Sequence, residues 1–158
     1  MPKYGLTFQN YSANTATKTT LGAYMLTDAT RNIEVVEVIM TGSGSAAAAD
    51  VQHRCQLLGC TFGATGASTT TTPEPFNPTG PAALGNFGVN YSTEPTTITT
   101  IATLSFGFNQ RGGMRWAVPQ GEGFRAANYG TTEKGAVVTN IASGAGNTDQ
   151  TMHFWQAN

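Results

Sequence analysis

Few side chains in this sequence carry reactive chemistry. Two histidines, His53 and His153, and two cysteines, Cys55 and Cys60, are the soft or imidazole ligands it offers a metal. They are also its ordinary general bases and nucleophiles. His53 and Cys55 stand at i and i+2 and share a strand face, whereas Cys55 and Cys60 have opposite parity. The set matches no zinc module, so Cys55 reads as a small core residue and His53 as a half-buried one. A disulfide would need a sharp turn at Leu57–Gly59, and both cysteines read as reduced thiols of an intracellularly made protein. Gly42-Ser43-Gly44-Ser45-Ala46-Ala47 fits G-x-G-x-x-G/A after a β-rich run. A dinucleotide site would also need an acidic residue about 20 positions on and further βα units. No Asp or Glu lies between Asp50 and Glu74, and the stretch reads as a loop of small residues. No G-x-S-x-G elbow is present. The carboxylates are scattered, and nothing singles out Glu122 with Glu94 or Asp149 as a pair converging across a cleft. The expectation is a protein with no catalytic residues, no metal and no cofactor.

The densest cluster of functional side chains is QRGGMRWAVPQGE, Gln110 to Glu122. Alternation sends Met114 and Trp116 to one face, toward a core, and Arg115 to the other. Pro119-Gln120-Gly121 fits a type II turn with proline at its second position, and Phe124 then begins a return strand, making a hairpin. Arg111 and Arg115 are left to bind loop carbonyls or to pair with carboxylates across a subunit contact.

The elements that position these residues are strands. Tyr4–Tyr11 alternates loosely, with aromatics at Tyr4, Phe8 and Tyr11. Thr17–Thr27 places Leu21, Ala23 and Met25 on one face. Asn32–Thr41 is β-branched, and Glu34 and Glu37 lie three apart rather than two, which predicts a bulge near Val35–Val36. Val51–Leu58 reads as a strand, with a helix over AAAADVQHRCQLL as the alternative. Thr61–Pro95 holds Pro73, Pro75, Pro78, Pro81 and Pro95 and reads as a long loop that cannot be a helix or a central strand. Thr96–Phe108, Gly113–Val118, Phe124–Tyr129, Ala136–Ile141 and Thr148–Trp155 complete eight or nine short strands separated by turn residues. That pattern predicts an all-β sandwich or barrel.

Composition narrows the function classes. At 158 residues the chain fits one domain. Only 11% of residues are charged, against about 25% in an ordinary globular protein. A surface so poor in charge is expected to be covered in large part by partners. A net charge of −1 leaves no basic footprint for nucleic acid. No apolar run reaches the roughly 18 residues needed to cross a bilayer. MPKYGLTFQNYSANTATKTT lacks an apolar signal core, so the sequons at Asn10 and Asn90 carry no weight in a chain expected not to be exported.

The order of features resembles the single-domain jelly-roll decoration, or cement, proteins that tailed bacteriophages carry on the outside of their capsids. Thr17–Leu26 and Asn32–Thr41 resemble that group's first strand pair, joined by a short loop ending in Arg31. Gly42–Gln56 is similar to its small-residue loop leading into a strand with an outward arginine, here Arg54. TPEPFNPTGPAA (Thr72–Ala83) and STEPT (Ser92–Thr96) resemble its proline-bearing crossover, and QRGGMRWAVPQGE its Arg-x-x-x-Arg-Trp strand with a Pro-x-Gly turn. The resemblance implies an eight- to nine-stranded antiparallel jelly-roll sandwich. It also implies a virion protein of the capsid exterior, made in the host cytoplasm, that binds the major capsid protein as a homotrimer and catalyses nothing. On this reading residues 1–14 are an N-terminal arm, 15–158 the jelly-roll domain and 61–95 its long loop. The expected contact residues are Tyr4, Phe8 and Tyr11 on the arm, Pro73, Phe76 and Pro78 in the loop, and Arg111 and Arg115 on the arginine strand. The rival is a receptor- or glycan-binding jelly-roll module of a phage tail or capsid, with Trp116, Trp155, Tyr129 or Tyr91 as stacking platforms.

Overall fold

The computed structural model describes residues 1–12, 19–26, 32–42, 51–61, 69–89, 96–97, 104–127, 135–142 and 147–156. These contain strands and no helix: β1 (Lys3–Ser12), β2 (Thr19–Leu26), β3 (Asn32–Gly42), β4 (Gln52–Thr61), β5 (Thr69–Thr71), β6 (Glu74–Pro75), β7 (Gly85–Val89), β8 (Thr96–Thr97), β9 (Leu104–Asn109), β10 (Gly113–Ala117), β11 (Phe124–Ala127), β12 (Gly135–Ala142) and β13 (Asn147–Gln156). One sheet runs β10-β3-β13-β1-β6, with β11 also on β3; the other runs β5-β7-β2-β12-β4-β8, with β9 also on β4. Their ladders are antiparallel.

Alternation builds the core. Tyr4 and Leu6 on β1, Val35, Val38 and Met40 on β3, and Met152 and Phe154 on β13 turn one face of the first sheet inward. From the second sheet Cys55, Leu57, Phe108 and Ala136 join the same cluster, so the two sheets share one apolar layer in the manner of a sandwich. Tyr4 and Phe154 stack in it, ring centroids 5.4 Å apart. Met114, Trp116 and Phe124 pack against its margin.

The segment 51–61 is a strand rather than a helix, paired to both β12 and β9. Its inward positions hold His53, stacked on Phe108 with centroids 5.0 Å apart, and Cys55. Burial pushes the Cys55 thiol up to about 12, and neither cysteine is in a disulfide.

Three sequence expectations meet a different arrangement. Residues 1–14, set apart above as an arm, include β1, which lies between β13 and β6 and places Tyr4 and Leu6 in the core. The long loop contributes strands of its own. β5 ends one sheet, β6 ends the other, and β7 lies between β5 and β2, so the chain crosses between the two sheet edges. Its described prolines obey the expected constraint: Pro75 sits in a two-residue edge strand and Pro73, Pro78 and Pro81 outside any strand, while Pro95 lies outside the described residues.

The third difference is the hairpin. β10 pairs with β3 from Gly113–Thr41 to Ala117–Glu37, and β11 resumes on the same strand from Phe124–Val35 to Ala127–Asn32. Both run antiparallel to β3, so β11 continues β10 and does not return along it. Residues 118–123 loop out opposite Val36, the residue skipped in the β13 ladder between His153–Glu37 and Phe154–Val35. The expected bulge is therefore present at Val36, and its carbonyl accepts the Val118 N–H at 2.9 Å. The turn itself spans Pro119–Glu122, closed by Glu122 N–H to Pro119 C=O at 3.2 Å, with Gly121 at φ 100°. Proline thus stands first in the turn, and the positive φ falls on glycine as a type II turn requires.

Candidate interaction surface

The bulge at Val36 brings Glu34 and Glu37 to the same outer face of the first sheet, since one extra residue restores their parity. Glu34 Oε1 accepts the Gly121 and Gly123 amides at 2.6 and 2.8 Å and so ties down the looped-out segment. A side chain at Gly123 would place its Cβ 2.4 Å from the Val35 carbonyl oxygen, so only glycine lets the loop approach this closely.

Glu37 is the centre of a row across the sheet. Its Oε1 accepts from Arg115 Nε at 2.5 Å, and its Oε2 lies 2.6 Å from His153 Nδ1 on the neighbouring β13. Burial alone would raise the Glu37 carboxyl. The hydrogen bonds and charges of His153 and Arg115 outweigh it and hold the carboxyl below its ordinary value. Gly5 lies directly opposite His153 on β1. In the space its missing side chain leaves, Phe76 meets His153 edge to face, with centroids 4.8 Å apart. The Lys3 ammonium sits 4.7 Å above the Phe76 ring. Lys3, Phe76, His153, Glu37 and Arg115 thus form one continuous line from β1 to the β10 edge.

From Phe76 the chain projects as an ordered loop to Leu84. Phe76 N–H bonds to Lys3 C=O at 2.9 Å, and Gly80 N–H to Asn77 C=O at 2.8 Å. The Asn77 side chain accepts the Thr79 amide and hydroxyl at 3.2 and 2.9 Å. The Tyr4 hydroxyl donates to Pro81 C=O at 3.0 Å, and Leu84 N–H to Gln156 Oε1 at 2.9 Å. Burial raises the Tyr4 hydroxyl and keeps it a donor. Held at both ends, the loop still leaves Phe76 54% and Leu84 37% exposed, with Pro78 and Pro81 open between them.

The expected contact residues divide accordingly. Phe76 and Pro78 are on this exposed loop. Pro73 is buried, and Tyr4, at 0% exposure, is a core residue whose hydroxyl braces the loop from beneath. The backbones of Phe8 and Tyr11 lie in β1, while their side chains fall outside the described ones. Arg115 is exposed along its length yet committed to Glu37. Arg111 lies on the turn from β9 to β10, its N–H bonded to Asn109 Oδ1 at 2.9 Å. Of the proposed stacking platforms, Trp116 packs on the core and Trp155 is half-buried, while Tyr91 and Tyr129 lie outside the described residues. The glycine-rich stretch after Gly42 also lies outside them. His53 and Cys55 face the core while His153 faces outward on the other sheet, so the set weighed as metal ligands is not brought together. Sequence reasoning missed Glu37, His153 and Gly5 as parts of one surface. The parity slip between Glu34 and Glu37 was its only local trace.

Comparison of the chain with known protein families, with curated proteins and with solved structures found no match in any of the three.

Proposed function

We propose that this chain is a structural virion protein: a jelly-roll decoration protein that binds the outer surface of a tailed-phage capsid and reinforces the shell. The observation that supports this reading best is the loop Phe76–Leu84. It presents apolar side chains to solvent from a backbone already fixed by its own hydrogen bonds. Such a loop docks without a large ordering penalty, which favours weak contacts repeated many times. A protein that binds the assembled lattice and not its free subunits stabilises the lattice by RT ln(1 + [L]/Kd), roughly 2.7 kcal/mol at a hundredfold excess over Kd. As a homotrimer on the major capsid protein, it would engage three footprints together and gain avidity without any new type of contact.

The test compares shells with and without this protein under heat and osmotic shock, and counts copies per particle. The proposal expects hundreds of copies and greater shell stability. Equal stability, or a few copies confined to the tail, would overturn it, and specific sugar binding on a glycan array would move the reading to an attachment module.

A further inference from the structure

The first sheet ends unevenly. β1 has ten residues and its outer neighbour β6 has two. Tyr4 pairs with Pro75 and Gly5 with Glu74, and Phe76 N–H bonds to Lys3 C=O. In antiparallel strands alternate residues direct both main-chain groups to the same neighbour. Lys3 and Gly5 therefore address β6, and Thr7 has the same parity. On the other side Thr7 faces Thr151 with the two hydroxyl oxygens 3.2 Å apart, the close approach of a pair that exchanges no main-chain bonds.

The register would next set Thr72 against Thr7, but Pro73 comes first. Its ring is buried, and neither Pro73 nor Thr72 is part of a strand, so β6 ends at Glu74 and the chain leaves the edge there. A groove of about 460 Å³ opens at this point, lined by Gly5, Thr7, Thr72, Glu74 and Phe76 among others. That volume is within the roughly 300–1,000 Å³ typical of ligand clefts. Among the described residues no strand pairs with β1 on this side beyond Gly5.

We infer that this edge receives an extended segment of a partner protein as an added strand. The Thr7 N–H and C=O bond to its main chain, and a Lys or Arg of the segment meets Glu74. The main-chain groups of Thr7 select an extended polypeptide over a compact ligand. Glu74 is exposed and is the one charged residue lining the groove among the described residues, while Lys3 is held over the Phe76 ring. Charge complementarity thus favours a cationic segment. The site stands apart from the capsid reading, because it can be tested with no shell present.

The experiment is an NMR titration of the full chain with a synthetic peptide of alternating Thr and Val carrying one central Lys. The Thr7 amide should shift on binding. Replacing the peptide Lys with Glu should weaken binding about fivefold, the scale of one exposed charge pair. Methylating the peptide nitrogens that face Thr7 should weaken it about tenfold, as loss of main-chain bonding requires. In the protein, Thr7→Pro removes the N–H directed at the groove and should weaken binding by a similar factor, whereas Thr7→Val keeps that N–H and should bind normally. The methylated peptide leaves the protein unaltered, so its result stands even if Thr7→Pro does not fold. Equal binding of the methylated peptide, indifference to the sign of the peptide charge, or no binding at about 1 mM would overturn the inference.

Discussion

Replacing Glu34 with alanine should release the segment 118–123 and leave the rest of the sheet in register. The magnitude follows from the two bonds that Glu34 Oε1 accepts, 2.6 Å from Gly121 N and 2.8 Å from Gly123 N. A hydrogen bond to a charged group contributes about 1.5–3 kcal/mol. Gly121 is exposed and Gly123 half-buried, so the released amides regain water and each bond counts at the low end of that range. The pair together then amounts to about 3 kcal/mol. For a chain of 158 residues, each kcal/mol moves the melting temperature by about 2–4 °C, so Glu34→Ala should lower it by about 6–12 °C. Glu34→Gln keeps an acceptor oxygen without the charge and should lose about half as much. Thermal unfolding of the three proteins gives the magnitudes. Amide exchange at Gly121 and Gly123 locates the effect, and both should exchange faster in Glu34→Ala while the β3–β13 amides keep their protection. A melting temperature within about 1 °C of wild type, or equal losses in the alanine and glutamine variants, would refute the account of this carboxylate as the clamp of the loop.

Other perturbations test other parts of the surface. Gly5→Val should push Phe76 off His153, because even a bare Cβ would lie 3.2 Å from Phe76 Cε2 and 3.4 Å from the His153 ring; the loss of ring-current shifts on His153 reports it, with a stability change near 1 kcal/mol because the exposed Phe76 can swing outward. The Glu37 carboxyl is held below its ordinary value of 4.5, so its contribution to stability is present above pH 4.5 and is lost as pH falls through the lower folded value. Urea midpoints of wild type and Glu37→Gln should therefore differ at neutral pH and converge on acidification below 4.5. With Cys55 buried and its thiol raised to about 12, the native chain should resist alkylation at mildly alkaline pH, and the urea-unfolded chain should react quickly.

How far the sequence is legible depends on whether a residue's partner is near it along the chain. Period-two alternation in 147–156 reports burial directly, because one face of that strand lies on the core, whereas in 32–42 the run Ile33–Val38 is buried on both faces and only the parity of its residue types is informative. The slip between Glu34 and Glu37 located the bulge for the same reason. A similar slip, between Phe8 and Tyr11, coincides with the register shift in the β1–β13 ladder. In the sequence it shows only as loose alternation, because the main partner of β1 is β13 at the other end of the chain. Pro119-Gln120-Gly121 misled for a related reason. The turn is real, but a turn reverses a strand only when the following residues pair with the preceding ones. Here Glu34, far off in sequence, holds two of the loop amides and keeps the chain on β3. Phe76 and Pro78 were legible as surface because prolines exclude that segment from the interior of a sheet; Gly5 and His153 were not, because a glycine opposite a histidine has meaning only once the register is known.

A chain with so few charges has placed several of them where they organise its own edge. Glu34 fastens the looped-out segment, and Glu37 joins Arg115 on the edge strand to His153 two strands in. Arg115 is largely exposed, so its pair with Glu37 is screened by solvent and adds little to stability. Its effect is geometric: it fixes a cation on the outer face of an edge strand, where charge discourages indiscriminate pairing with other chains. The opposite edge carries an anion instead, the exposed Glu74 of the two-residue β6, beside the groove at Thr7. One side of the sheet thus presents a cation and the other an anion. A cationic strand added at the edge beside Phe76 would meet apolar contact from the braced loop and main-chain hydrogen bonds from Thr7.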